Sequence, residues 1–95
     1  MKKDNTKKMG EVLGEYVKEM QLKKKLNEVR LKESWEDIVG KTIARSTQKI
    51  FIKQNVLFVY LSSSVIRHEL MMIKTPLLER INEISFEEIL DLKLL

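Results

Sequence analysis

The 95-residue sequence has no cysteine, one proline, three glycines, one histidine and one tryptophan. Without cysteine there is no disulfide scaffold, no thiol nucleophile and no thiolate site for zinc or iron–sulfur clusters. The expected setting is a reduced one, the cytoplasm. Gly10, Gly14 and Gly40 build no phosphate-cradling loop, which excludes nucleotide hydrolysis of the usual kind. No uninterrupted apolar run approaches the ~18–20 residues that a membrane span requires. The lysine-rich start is followed by no apolar segment, so no secretory signal is expected. His68 has no partner set for a metal. Ser62, Ser63 and Ser64 lack both a Gly-x-Ser-x-Gly elbow and a base, and helix capping accounts for them. Glu87-Glu88 reads as a solubilising pair. No catalytic residue, cofactor or small-molecule substrate is expected.

What is present fits one domain over residues 1–95, with residues 1–6 as a disordered arm. A chain of this length buries roughly 60–65% of its unfolded surface, enough to fold alone with little margin. The net charge of +4 is unevenly spread. Residues 1–30 carry nine Lys/Arg against five Asp/Glu, and residues 31–95 carry nine of each. From Ile38 to His68 there is no acid, while Lys41, Arg45, Lys49, Lys53 and Arg67 supply positive charge. Such polarity suits a polyanionic partner, although a solvated surface would carry it equally well.

Asp4, Asn5 and Thr6 can cap a helix. Met9, Val12, Leu13, Tyr16, Val17 and Met20 then form one helical stripe. Leu22, Leu26 and Val29 continue at helical spacing, as do Leu31, Trp35, Ile38 and Val39. At about 100° per residue these two sets lie on nearly opposite faces. Either the helix breaks near Val29–Leu31 or it is contacted on two sides, and the second is the expectation. Gly40 suits the left-handed position after a helix. Ile43 and Ala44 make a short further turn.

Residues 49–53 and 56–61 are rich in β-branched and aromatic side chains, and Gln54-Asn55 between them predicts an antiparallel hairpin. Val56 to Leu61 is apolar throughout, which predicts a central strand covered on at least one face. The serines lead into a helix with a stripe of Ile66, Leu70, Ile73, Leu77 and Ile81. Pro76 interrupts it; Thr75-Pro76 can be a cap and first residue that split it in two. Asn82 is the expected end of this helix, and residues 89–94 alternate as a third strand.

The order α-α-β-β-α-β gives an α+β two-layer sandwich, a three-stranded sheet with helices on one face. It is KH-like, but the Gly-x-x-Gly loop that clamps nucleic-acid backbone is absent. Trp35 is read as core, and Met71-Met72 as core filling, with an adaptable partner groove as the lesser alternative.

The stretch Trp35-x-x-Ile38-Val39-Gly40-x-x-Ile43-Ala44-x-x-Thr47 resembles the bacterial DciA-like proteins, domain of unknown function 721. Val56–Leu61, Ser62–Leu70 and Leu78–Asn82 follow in the same order, so the resemblance covers about residues 20–94. It implies a KH-like domain that binds DNA, associates with the replicative helicase to assist its loading, and catalyses nothing.

The leading expectation is a replication accessory module that sets Lys41, Arg45, Lys49, Lys53 and Arg67 against phosphates without reading sequence. A protein–protein adaptor is the alternative, docking the helicase through the first helix and Met71-Met72. RNA binding of the KH type is a third, opposed by the missing glycine loop and by the lack of an evident exposed aromatic pair.

Overall fold

The computed structural model describes residues 2–95, with side chains described from residue 12 onward. The arm lysines, the capping candidates Asp4, Asn5 and Thr6, and Met9 and Gly10 lie outside the described side chains. Helix α1 (Lys2–Val39) is followed by α2 (Lys41–Arg45), strands β1 (Thr47–Lys53) and β2 (Val56–Leu61), helices α3 (Ser64–Met72) and α4 (Lys74–Ile84), and strand β3 (Asp91–Leu94).

In α1, Leu31 and Trp35 are buried and Ile38 and Val39 pack beside them. Leu13, Tyr16, Val17 and Met20 lie on the same helical face by period, yet they are exposed, because the domain begins only at Asn27. The expected second contact does not form: Leu22, Leu26 and Val29 are 59%, 52% and 40% exposed. Helical spacing put them on one face correctly, but no layer of the fold exists on that side to cover it.

What holds α1 is partly polar. The buried Asn27 side chain donates to Ser85 Oγ (2.8 Å) and accepts from the Phe86 backbone N–H (2.8 Å). One turn on, Arg30 Nε donates to the Ile84 carbonyl (2.7 Å), and its guanidinium lies 4.3 Å from the Phe86 ring centroid. Trp35 Nε1 donates to Thr47 Oγ1 (2.9 Å), tying the helix to the first residue of β1. The indole is therefore core, as expected, with its one polar atom satisfied.

Gly40 ends α1 at φ 88°, and its N–H reaches the Glu36 carbonyl at 2.7 Å. A side chain there would be strained, so glycine is the fitting residue. Between β1 and β2, Gln54 (φ 51°) and Asn55 (φ 62°) both take positive φ, the pattern of a type I′ hairpin turn. The antiparallel register runs from Thr47 opposite Leu61 to Lys53 opposite Val56. β3 pairs with β2 in parallel, so β2 is central in the order β1-β2-β3.

Ser63 is the cap of α3, its side chain accepting from the Ile66 N–H at 3.3 Å. The break between α3 and α4 falls at Ile73, not at Thr75. Pro76 is the third residue of α4, within the first turn, where a missing N–H removes no intrahelical bond. The change of direction turns Ile73 outward, and Met71 and Met72 are 57% and 71% exposed rather than core. Helix α4 ends at Ser85, three residues past the expected Asn82. Asn82 stays inside the helix and fastens the following loop: its Oδ1 accepts from Ile89 N–H (2.7 Å) and its Nδ2 donates to Ile89 O (3.0 Å).

The core is a single layer. Leu31 and Trp35 of α1, Leu70 of α3, and Leu77 and Ile81 of α4 pack on one side of Ile50, Leu57, Val59, Leu61, Leu92 and Leu94. The architecture is the expected KH-like α+β sandwich, helices on one face of the sheet. Asn27→Ala should lower unfolding free energy by about 2 kcal/mol, since it leaves the Phe86 N–H without its partner. Leu22→Ala, on the uncovered face, should change it by less than about 0.5 kcal/mol. Urea denaturation of the two variants checks both.

Candidate nucleic-acid interface

Strand residues alternate between the two faces of a sheet, so burial of one set defines the other. With Ile50, Leu57, Val59, Leu92 and Leu94 directed to the core, the opposite face carries Lys49, Phe51 and Lys53 of β1, Val56, Phe58 and Tyr60 of β2, and Asp91 and Lys93 of β3. The register makes this a grid. Lys49 is opposite Tyr60, Phe51 is opposite Phe58, which in turn neighbours Lys93, and Lys53 is opposite Val56, which neighbours Asp91.

The aromatics meet across the strands. Phe51 and Phe58 stack with centroids 4.8 Å apart and planes 4° from parallel. Tyr60 lies 6.0 Å from Phe51 at 23°. The Lys49 ammonium sits 5.1 Å from the Phe51 ring centroid, within cation–π range. All three rings keep part of their surface in solvent. The sequence showed no evident exposed aromatic pair, and here the structure corrects it: there is a row of three, on the one face with no helix over it. Strict alternation through Lys49-Phe51-Lys53 and Val56-Phe58-Tyr60 carried the signal. It was masked because every residue of β2 is apolar.

The five cations singled out in the sequence fall into three places. Lys49 and Lys53 share the open face and flank Phe51. Lys41 and Arg45 are one turn apart on the exposed surface of α2, at the end of the sheet where β1 begins. Arg67 is on α3, whose Leu70 packs into the core, and so belongs to the helical layer rather than the open face. Lys93 was not anticipated and joins Lys49 and Lys53. Among the described residues none of these six cations is paired with a carboxylate.

The one carboxylate of the grid is Asp91, and Lys74 from α4 holds it at 2.9 Å. That hydrogen bond, with a second from the Leu92 N–H, keeps the Asp91 carboxyl below the ordinary aspartate range. The Asp91 charge is thus balanced by the Lys74 ammonium beside it. Beside the β1 edge a groove of about 500 Å³ runs past Phe51, Lys49 and Gln48 to α1, which lines it with Lys32 and three acids, Glu28, Glu33 and Glu36. His68 is exposed on α3, and among the described residues no group of three or more His, Asp or Glu side chains could hold a metal. No helix of the described residues is long and apolar enough to cross a membrane.

A comparison with protein families matches residues 8–94 to the family described as Dna[CI] antecedent, DciA. None of the curated proteins matches the chain.

The Lys74–Asp91 pair generates a pH test. Because the folded carboxyl is held low, its contribution to stability is fully present above the ordinary aspartate value and disappears as pH falls through the lowered one. Lys74→Ala should bring the Asp91 titration back toward its ordinary range in carboxyl-detected NMR. The stability difference between wild type and variant should vanish at the acid end of a urea series. An Asp91 that titrates alike in both proteins would contradict the pairing.

Proposed function

The chain belongs to the DciA family, which takes part in loading the replicative helicase, and from that premise we propose that it is a non-catalytic accessory protein that contributes nucleic-acid binding to the task. The observation that carries the reading is the cationic open face of the sheet. Among the described residues Lys49, Lys53 and Lys93 form no ion pair there, and Asp91, the one acid of that face, is engaged by Lys74; Glu28, Glu33 and Glu36 line the groove beside the β1 edge. Lys41 and Arg45 extend the positive surface past the start of β1. Arg67, in the helical layer, is outside the primary set.

Contacts of this kind act on phosphate. They position the polymer and carry no sequence information, so binding is expected to be non-specific. The absence of acids from Ile38 to His68 is the sequence counterpart of that surface.

A second reading rests on a separate observation. Leu13, Tyr16, Val17 and Met20 form an exposed apolar stripe on α1, before the helix joins the domain. Exposed apolar surface of this extent suits a protein partner, and a helicase docked there would leave the sheet face free. Co-purification distinguishes the two contacts: a helicase retained after nuclease treatment is held by protein, one released was bridged by nucleic acid.

For the cationic face, five phosphate contacts with duplex DNA predict a slope of log K against log salt of roughly −4 to −5. Lys49→Ala/Lys53→Ala should make it shallower by about 2. A flat salt response in the wild type would overturn the proposal.

A further inference from the structure

We propose that the open sheet face binds single-stranded nucleic acid, with unpaired bases stacking against the row of Phe51, Phe58 and Tyr60 while Lys49, Lys53 and Lys93 take the phosphates. This deepens, and rests on, the reading of the cationic face as a polyanion site.

Three features carry it. The first is position. None of the chain's three phenylalanines is in the core, and Phe86 is 65% exposed beside Arg30. The other two stand on the face that no helix covers. A cross-strand aromatic pair stabilises a hairpin by itself, on the order of 0.5–1 kcal/mol. That explains Phe51 against Phe58. It does not explain Tyr60, which extends the row to 6.0 Å from Phe51 and is itself exposed.

The second feature is the interleaving of charge. In the grid each ring has a lysine as a neighbour: Lys49 beside Tyr60 and over Phe51, Lys93 beside Phe58, Lys53 at the lower end. A strand lying across the sheet presents bases and phosphates at similar intervals. Apolar rings alone would suit a protein partner, and lysines alone would suit a duplex. Their alternation suits a polymer that offers both π-faces and phosphates, which is a single strand. The lysines, unpaired among the described residues, give the charge complementarity that a neutral or basic protein surface would lack.

The third is access. Duplex bases are stacked on each other and shown only at their edges, so flat rings on a sheet have nothing to stack on. Unpaired bases expose both faces. Neighbouring side chains also select against a rigid rod: Tyr60 and Phe58 rise from the central strand, between flanking lysines on both edge strands. A flexible strand can follow that relief. DNA and RNA share the chemistry invoked here, since stacking uses the base and the lysines use the phosphate.

The test uses the full chain with four fluorescent ligands at fixed salt: a 15-mer of dT, a 15-mer of rU, a 20-base-pair duplex, and the duplex with a dT tail. The expected result is tighter binding of the single strands and of the tailed duplex than of the blunt one. Tyr60→Leu and Phe51→Leu should each weaken single-strand binding about tenfold, change blunt-duplex binding less than twofold, and leave the salt slope as it was. Leucine keeps the hairpin face apolar. Should a variant lose its fold by circular dichroism, the wild type still decides, through upfield NMR shifts of the Phe51 and Phe58 ring protons as dT 15-mer is added.

Equal affinity for blunt duplex and single strand, with ring protons unmoved, overturns the stacking inference while the phosphate reading stands. Failure to bind any of the four ligands overturns both. If Tyr60→Leu abolishes helicase co-sedimentation and leaves dT binding intact, the face is a protein-docking surface and the inference is wrong. The ratio of dT to rU affinity tells which polymer is preferred.

Discussion

The fold rests on burial of one sheet face and no more. Every side chain of the core lies between the helices and a single face formed by Ile50, Leu57, Val59, Leu61, Leu92 and Leu94. A chain of this size cannot furnish a second covering layer. The opposite face must then meet water, and yet β2 offers only apolar residues on both sides. The molecule resolves the conflict by stacking rings on one another and bordering them with lysines. Stacking hides part of each ring, and the lysine stems cover more. The surface that results carries lysines at its border and leaves planar apolar groups partly open to solvent.

The same shortage of covering material shapes α1. Its apolar residues continue along one side of the helix from Leu13 to Ile38, yet burial on that side starts only at Asn27. The transition is marked by polar contacts rather than by a gap in the helix. Asn27 and Arg30 grip the segment Ile84–Phe86 through hydrogen bonds and a cation–π contact. Buried polar groups that are fully bonded define a geometry more narrowly than apolar contact does. They fix where along α1 the domain begins.

Much of this could be read from residue patterns, and the limits are physical. Gly40, the Gln54-Asn55 turn and the order of elements follow from backbone chemistry that few residues satisfy. Trp35 followed from a helical stripe shared with Leu31 and Ile38. Most of the errors share one cause: periodicity assigns a residue to a face, but it does not say whether anything lies over that face. Leu22, Leu26 and Val29 were grouped correctly and still proved exposed. Ile73 belonged to the stripe of Leu70 and Leu77, and the bend between α3 and α4 turns it toward solvent; Met71 and Met72, read as core filling, stand on the exposed side of α3. Asn82 has the chemistry of a helix end, and it spends that chemistry on the Ile89 backbone instead. For the candidate site, Lys49 and Lys53 were legible from the acid-free stretch. Their company with Lys93 and the aromatic row was not, because it depends on β3 pairing in parallel with β2.

The uninterrupted course of α1 has a consequence for assembly. A helix advances about 1.5 Å per residue, so Tyr16 stands on the order of 30 Å from Trp35 along a rod that does not bend freely. Anything gripping Tyr16 and its neighbours is thereby kept at a set distance and angle from the β-strands. The rod is in that sense a ruler: a partner held at Tyr16 and a ligand held at the sheet would be kept apart by the length of helix between them.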